Sequence, residues 1–158
     1  MRQLSILARV DPELSLDSLT YFRRSAWTGH TLHGASPLIE DWSTLILRSR
    51  TMLISGNRDA TDAFILAAIP AFPPPVRRHA CEANGPLPRP DGTLIFDDVE
   101  TLDPDQQEQL LHWLDDAQAA EAQTLAVTTT SLYTRVQAGL FLSRLYYRLN
   151  ALYVEVGA

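Results

Sequence analysis

Between residues 51 and 156, short apolar runs closed by turn residues alternate with helix-length amphipathic stretches, and that alternation restricts the chain to the α/β class. Strands are expected at 51–55, 76–81, 93–97, 125–129 and 152–156, with helices at 61–69, 103–120, 131–138 and 143–150. The helix from 103 has the plainest signals. Asp103 can cap it, Pro104 suits its first position, and Leu110, Trp113, Leu114 and Ala117 recur at helical spacing. Five strands joined by helices predict a mainly parallel sheet with helices on both faces, since right-handed crossovers are the default between parallel strands.

Upstream the pattern is weaker. Leu14, Leu16, Leu19, Phe22 and Trp27 fit a helical segment, and residues 1–33 are expected to form an N-terminal extension to a core spanning 34–158. Ser36-Pro37 then opens a helix with Leu38, Ile39, Trp42, Leu45 and Ile46 on one face.

All 13 basic residues are arginine, so every chemistry that needs a lysine is excluded: a P-loop lysine, a Schiff base, and the lysine of a receiver-type phosphorylation site. The formal net charge is −6 and the arginines are dispersed, which leaves no basic stripe for direct nucleic-acid binding. Cys81 is the one cysteine and cannot form an internal disulfide. The chain shows neither a leader peptide nor a membrane-length apolar run, so a soluble, cytoplasmic protein is expected.

The strand at 93–97 ends in Asp97 followed by Asp98, an arrangement that holds a hydrated magnesium ion beside a nucleotide in P-loop ATPases. Acids that simply mark the solvent end of a strand explain the same pair. His30 with His33, and His79 with Cys81, lack the four-ligand spacing of a closed zinc site, and no metal is expected. Ser143 has no nucleophile elbow around it. Trp42 and Trp113 fit core positions.

The segment Gly139-Leu140-Phe141-Leu142-Ser143-Arg144-Leu145-Tyr146-Tyr147-Arg148-Leu149-Asn150 resembles the G-R-F-R-x-D-L-Y-Y-R-L-N segment of the sigma-54 activator family, whose central AAA+ domain drives transcription initiation by ATP hydrolysis. In the same order, Gly34-Ala35-Ser36-Pro37 resembles the family's G-x-S-P opening, and residues 92–99 resemble its G-T-L-F-L-D-E-V Walker B strand. Residues 125–132 stand at its I-A-A-T-N-R-D-L sensor strand. The resemblance implies a three-layer P-loop NTPase core with strands in the order 5-1-4-3-2, here without the helical lid.

Departures from that pattern argue against catalysis. Where the family has G-E-S-G-T-G-K-E, this chain has Gly56-Asn57-Arg58-Asp59-Ala60-Thr61-Asp62-Ala63, a degenerate Walker A in which Asp59 and Thr61 replace glycines and Asp62 replaces the lysine. Lysine to aspartate turns attraction for the β/γ-phosphates into repulsion, about 4 kcal/mol for each charge pair near 4 Å at an effective dielectric of ~20. Read without the family, Asp59 or Asp62 is a cap or a favourable charge at the start of a helix. Asp98 stands where the family has the glutamate that polarises water, with Asp97 as the other Walker B remnant, and Thr129 replaces the sensor asparagine. Leu142 replaces one of two arginines directed at the neighbouring subunit's nucleotide, while Arg148 is retained; Arg144 and Arg148, four residues apart, are the candidate interface pair. The loop that touches the sigma factor is missing between Cys81 and Gly92.

These features predict a non-catalytic pseudo-ATPase module acting in transcription regulation through a protein partner, either an active AAA+ relative or a second copy. No cofactor is expected. The alternative is a residual ATP-binding or ATPase domain, for which Mg-ATP would be the ligand.

Overall fold

The computed structural model describes residues 8–10, 50–81 and 85–157. Six strands are found among them: β1 (Ala8–Val10), β2 (Thr51–Gly56), β3 (Val76–Ala80), β4 (Thr93–Asp97), β5 (Gln123–Thr128) and β6 (Leu152–Val156). They form one sheet in the order β1-β6-β2-β5-β4-β3, parallel at every pairing. The five expected strands keep the 5-1-4-3-2 order. The count of five is corrected to six, because β1, drawn from the segment expected to be an extension, pairs with the outer edge of β6. A three-residue strand is too short to display a period of two, so nothing in its sequence announces it. The expected helices upstream of residue 50, together with His30, His33 and Trp42, lie outside the described residues.

Among the described residues four α-helices connect the strands: α1 (Arg58–Ala68), α2 (Pro104–Ala119), α3 (Leu132–Gln137) and α4 (Ser143–Leu149). α1 covers one face of the sheet. Its Ala60, Phe64, Ile65 and Ala68 pack on Met52, Ile54, Ile95, Leu125, Val127 and Val154. On the opposite face, Leu110, Trp113 and Leu114 of α2 and Leu145 and Leu149 of α4 close over Leu53, Leu94, Phe96 and Ala126. The central strands β4 and β5 are therefore buried on both sides, which explains their unbroken apolar character in place of alternation.

α2 begins as expected, with a reciprocal capping box in which the Asp103 carboxylate accepts from the Gln106 N–H and Gln106 Oε1 accepts from the Asp103 N–H. Trp113 sits in the core, edge-on to Phe96 at 5.0 Å, with its indole N–H donated to the Pro88 carbonyl. Gln107 is buried and ties α2 to the turn before α4: its Nε2 donates to the carbonyls of Leu102 and Leu140, and its Oε1 accepts from the Leu142 N–H. That contact gives α4 a fixed start in the absence of a side-chain cap.

Candidate functional site

The connection from β2 to α1 is a single residue. The strand runs to Gly56, the helix starts at Arg58, and Asn57 between them caps α1 by accepting the Ala60 N–H at 2.8 Å. Neither Asp59 nor Asp62 caps α1, contrary to the expectation. Asp59 lies in the first turn, where its charge suits the helix dipole, and Asp62 lies a turn further on. Asparagine takes the cap because it occupies the last extended position before the helix, whereas both aspartates already have helical backbone. Thr61 is buried, its N–H donated to the Asn57 carbonyl and its hydroxyl to the Arg58 carbonyl. Above this turn lies Gly157, at positive φ, where a Cβ would come within 2.9 Å of Ala60 and 3.1 Å of Asn57. The positions of the loop expected to surround phosphates, Gly56, Asp59, Thr61 and Asp62, are thus absorbed into the strand end and the first turns of a capped helix.

Asp97 ends β4 and Asp98 follows it, both with side chains mostly shielded from solvent. Each is held by an arginine. Arg58 donates to both oxygens of Asp98, at 2.8 and 2.7 Å. Arg78 on β3 donates its Nε to Asp97 Oδ2 at 2.9 Å and its Nη2 to Asp97 Oδ1 at 2.7 Å, and the same Nη2 reaches Asp62 Oδ1 at 2.7 Å. The guanidinium of Arg58 is raised above its ordinary range by its hydrogen bond to Asp98, and that of Arg78 by its hydrogen bond to Asp97. The Arg78–Asp97 pair, two nitrogens on two oxygens, is the bidentate kind that is geometrically specific as well as strong, whereas Arg58 reaches both Asp98 oxygens from one nitrogen. The expected repulsion from Asp62 changes accordingly: its charge is met by Arg78, and two guanidinium ions stand among three carboxylates.

Arg58 and Arg78 were not singled out by the sequence. Arg78 is opposite Ile95 in the β3–β4 register, which puts it on the same sheet face as Asp97 and one diagonal step away. That signal exists only once the register is known.

Thr129, at the sensor position, is held by Glu100: the buried carboxylate accepts the Thr129 N–H at 3.0 Å and its hydroxyl at 2.7 Å. Glu100 was also missed, because the short helical turn Val99–Thr101 that turns it inward follows a left-handed Asp98 (φ 55°), a conformation uncommon outside glycine. Nearby, Cys81 is buried and its N–H bonds to the Asp97 carbonyl. Burial first, then the charges of Asp97, Asp98 and Glu100, push its thiol up from an ordinary value near 9 to about 12. His79 packs its ring edge-on to Phe96.

A pH effect follows. The folded chain holds the Cys81 proton more tightly than the unfolded chain does, so this contribution is full below about pH 9 and is lost as pH rises toward 12. Urea denaturation of the native chain and of Cys81→Ala should give a stability difference that is flat up to about pH 9 and shrinks above it. A difference independent of pH between 9 and 12 would contradict the shift.

Arg144 and Arg148 share one face of α4, as their spacing requires. The acids they meet are on α2 of the same chain: Arg144 pairs with Glu108 at 3.2 Å and Arg148 with Asp115 at 2.7 Å. A partner competing for these arginines must displace intramolecular pairs, though exposed pairs of this type contribute only about 0–1 kcal/mol each.

Comparison with known proteins places these features. Residues 86–158, which carry β4, the Asp97–Asp98 pair and all of α2, α3 and α4, match the model of the sigma-54 interaction domain family. Over these residues, a little under half of the chain, it is similar to that family. The same fold is found in NtrX from Brucella abortus, solved in complex with ATP, at a TM-score of 0.56 and 16% identity over 78% of this chain and 36% of that one. It is found again in domain III of the replication initiation protein DnaA from Thermotoga maritima, at a TM-score of 0.53 and 16% identity over 75% of this chain and 59% of that one. A DNA replication initiation factor gives 0.53 and 14% identity over 73% of this chain and 43% of its own. The architecture is that of the P-loop NTPase and AAA+ proteins, and the chain spans between about a third and three-fifths of these relatives. A search of curated proteins gives no significant match. Among the described residues, no helix is long and apolar enough to cross a membrane.

Proposed function

We propose that the chain is a non-catalytic module of the sigma-54 interaction domain family, acting in cytoplasmic transcription regulation by contact with another protein, either an AAA+ relative or a second copy. One observation carries the proposal: Asp62, Asp97 and Asp98, the acids standing at the Walker positions, are each paired with an arginine of the same chain. Asp97 and Asp98 would have to release Arg78 and Arg58 to approach a hydrated magnesium ion. The first turn of α1 already has its Ala60 N–H satisfied by Asn57 and its Thr61 N–H inside the helix. A nucleotide's phosphates therefore find neither a loop to surround them nor a lysine to balance them, and these residues do not fit Mg-ATP. Truncated catalysis with retained architecture suits a protein used for its surface.

Calorimetric titration of Mg-ATP into the full chain is expected to show no binding tighter than about 1 mM, a level of roughly 4 kcal/mol that scattered weak contacts can reach unaided. Micromolar binding by the unmodified chain would overturn the proposal and favour the residual ATP-binding domain.

A further inference from the structure

The carboxyl ends of β2 and β5 border a cavity of about 220 Å³, on the sheet face that carries α3 and α4. Strand order reverses here. From β2 the chain passes through α1 toward β3, whereas from β5 it returns through α3 and α4 past β2 to β6. Crevices at such switch points are where open α/β sheets take ligands. The cavity lies across the sheet from α1, so it does not coincide with the capped helix start described above.

Six of the nine lining residues carry a hydroxyl and none carries a charge. Three of those hydroxyls are engaged within the chain. Thr128 donates to the Thr130 carbonyl, Ser131 caps α3, and the Tyr146 hydroxyl lies 3.0 Å from the Asn150 amide. The other three, on Ser55 of β2, Tyr133 of α3 and Tyr153 of β6, make no hydrogen bond among the described residues. They are also reachable. Tyr133 is exposed, Ser55 and Tyr153 are half-buried, and neither of the latter two hydroxyls is enclosed. Ser55 and Tyr153 share one sheet face on neighbouring strands, because Tyr153 is the register partner of Leu53, two residues before Ser55. Tyr133 joins them from α3, its ring centred 6.0 Å from that of Tyr146.

This chemistry narrows the ligand. With no counter-charge in the lining, an ionic ligand loses hydration without return. A plain aromatic ring covers the tyrosine faces but leaves the free hydroxyls unpaired, and displacing water without reproducing its hydrogen bonds loses affinity. A ligand with several hydroxyls of its own restores those bonds, since each free hydroxyl here both donates and accepts. Its ring C–H groups then lie against the tyrosines, Leu53 and Leu132. Size sets the upper limit: an apolar cavity of about 150 Å³ holds benzene, so the present volume admits one substituted six-membered ring.

We propose that this cavity binds a neutral, polyhydroxylated six-membered ring, a monosaccharide or a cyclitol, through the hydroxyls of Ser55, Tyr133 and Tyr153. A small-molecule site goes beyond the protein contacts proposed above, and its test stands whichever way the Mg-ATP titration falls.

Glucose, galactose, mannose and myo-inositol are the probes, each titrated into the full chain and followed by saturation-transfer and ¹H–¹⁵N NMR. At least one is expected to bind saturably at about 1 mM or tighter, with shifts confined to residues around the cavity. Whether a sugar or inositol binds more tightly identifies the source. Sorbitol, an open-chain polyol, and toluene, a ring without hydroxyls, should each bind about tenfold more weakly or worse. Ser55→Ala and Tyr153→Phe each remove one hydroxyl that the described chain does not use, so both should keep native circular dichroism and weaken the best probe about fivefold or more. No saturable binding by any probe, shifts elsewhere on the protein, equal binding of sorbitol or toluene, or unchanged affinity in either folded variant would each overturn the proposal. Should neither variant fold, the wild-type shift map and the sorbitol and toluene comparisons decide it.

Discussion

Gly56→Ala is expected to destabilise the fold by about 3 kcal/mol or more, a large effect for one methyl group. Gly56 is the register partner of Val156, and a Cβ on it would stand 2.1 Å from the Val156 carbonyl oxygen and 2.7 Å from Val156 Cγ2. The atom in the way is backbone, so no side-chain rotation relieves the clash and β6 must separate from β2. β6 also buries Leu152, Val154 and Val156 and carries β1 on its far edge, so the disturbance spreads into the α1-side core. In a chain of this size the thermal midpoint should fall by roughly 6–12 °C, and the urea midpoint should drop with little change in slope. Gly85→Ala is the control, since nothing lies within 4 Å of its added Cβ, and it should stay within about 0.5 kcal/mol of the parent. Equal stability of the two variants would mean that Gly56 is not a packing glycine. The survival of this glycine, where the rest of the phosphate-loop pattern is gone, then has a physical cause unrelated to phosphate: the closeness of two parallel strands.

The alternation of apolar and amphipathic segments was enough to place β2 to β6 and the helices in sequence, because a parallel sheet buried on both faces leaves few other uses for such runs. Element ends were less legible. α1 begins at Arg58, ahead of the expected 61, since the apolar spacing that marks a helix starts a turn after its cap. The site divided in the same way. Asp97 and Asp98 announce themselves by sequence position, being acids directly after a buried strand. Arg58, Arg78 and Glu100 do not, since each acquires its role from a residue 40, 19 or 29 positions away. Long-range pairs of this kind depend on strand register and on one left-handed residue, neither of which a single sequence displays. The pairing of Arg144 and Arg148 with α2 follows the same logic, because the two helices meet only in three dimensions.

Leu145→Ala should cost about 2–5 kcal/mol, the range for emptying a buried leucine site, whereas Tyr147→Ala, two residues on in the same helix, should cost about 1 kcal/mol or less. Leu145 and Leu149 are both 0% exposed and lie one helical turn apart, facing Leu53, Phe96, Leu110 and Leu114 across the core. Tyr147 is 53% exposed and touches the Tyr146 ring edge-on at 5.3 Å, a contact worth about 0.5–1.5 kcal/mol at most. Chemical denaturation of the two variants separates what the Leu-Tyr-Tyr-Arg-Leu-Asn run does for the fold from what its outward face offers a partner. If Leu145→Ala is nearly neutral and Tyr147→Ala severe, the helix is turned the other way and the core described here is wrong. The expected order instead makes the run a packing device first: its leucines fasten α4 to the sheet, its asparagine is buried at the helix end, Tyr146 is half-buried against the same core, and only Tyr147 and Arg148 face outward for recognition.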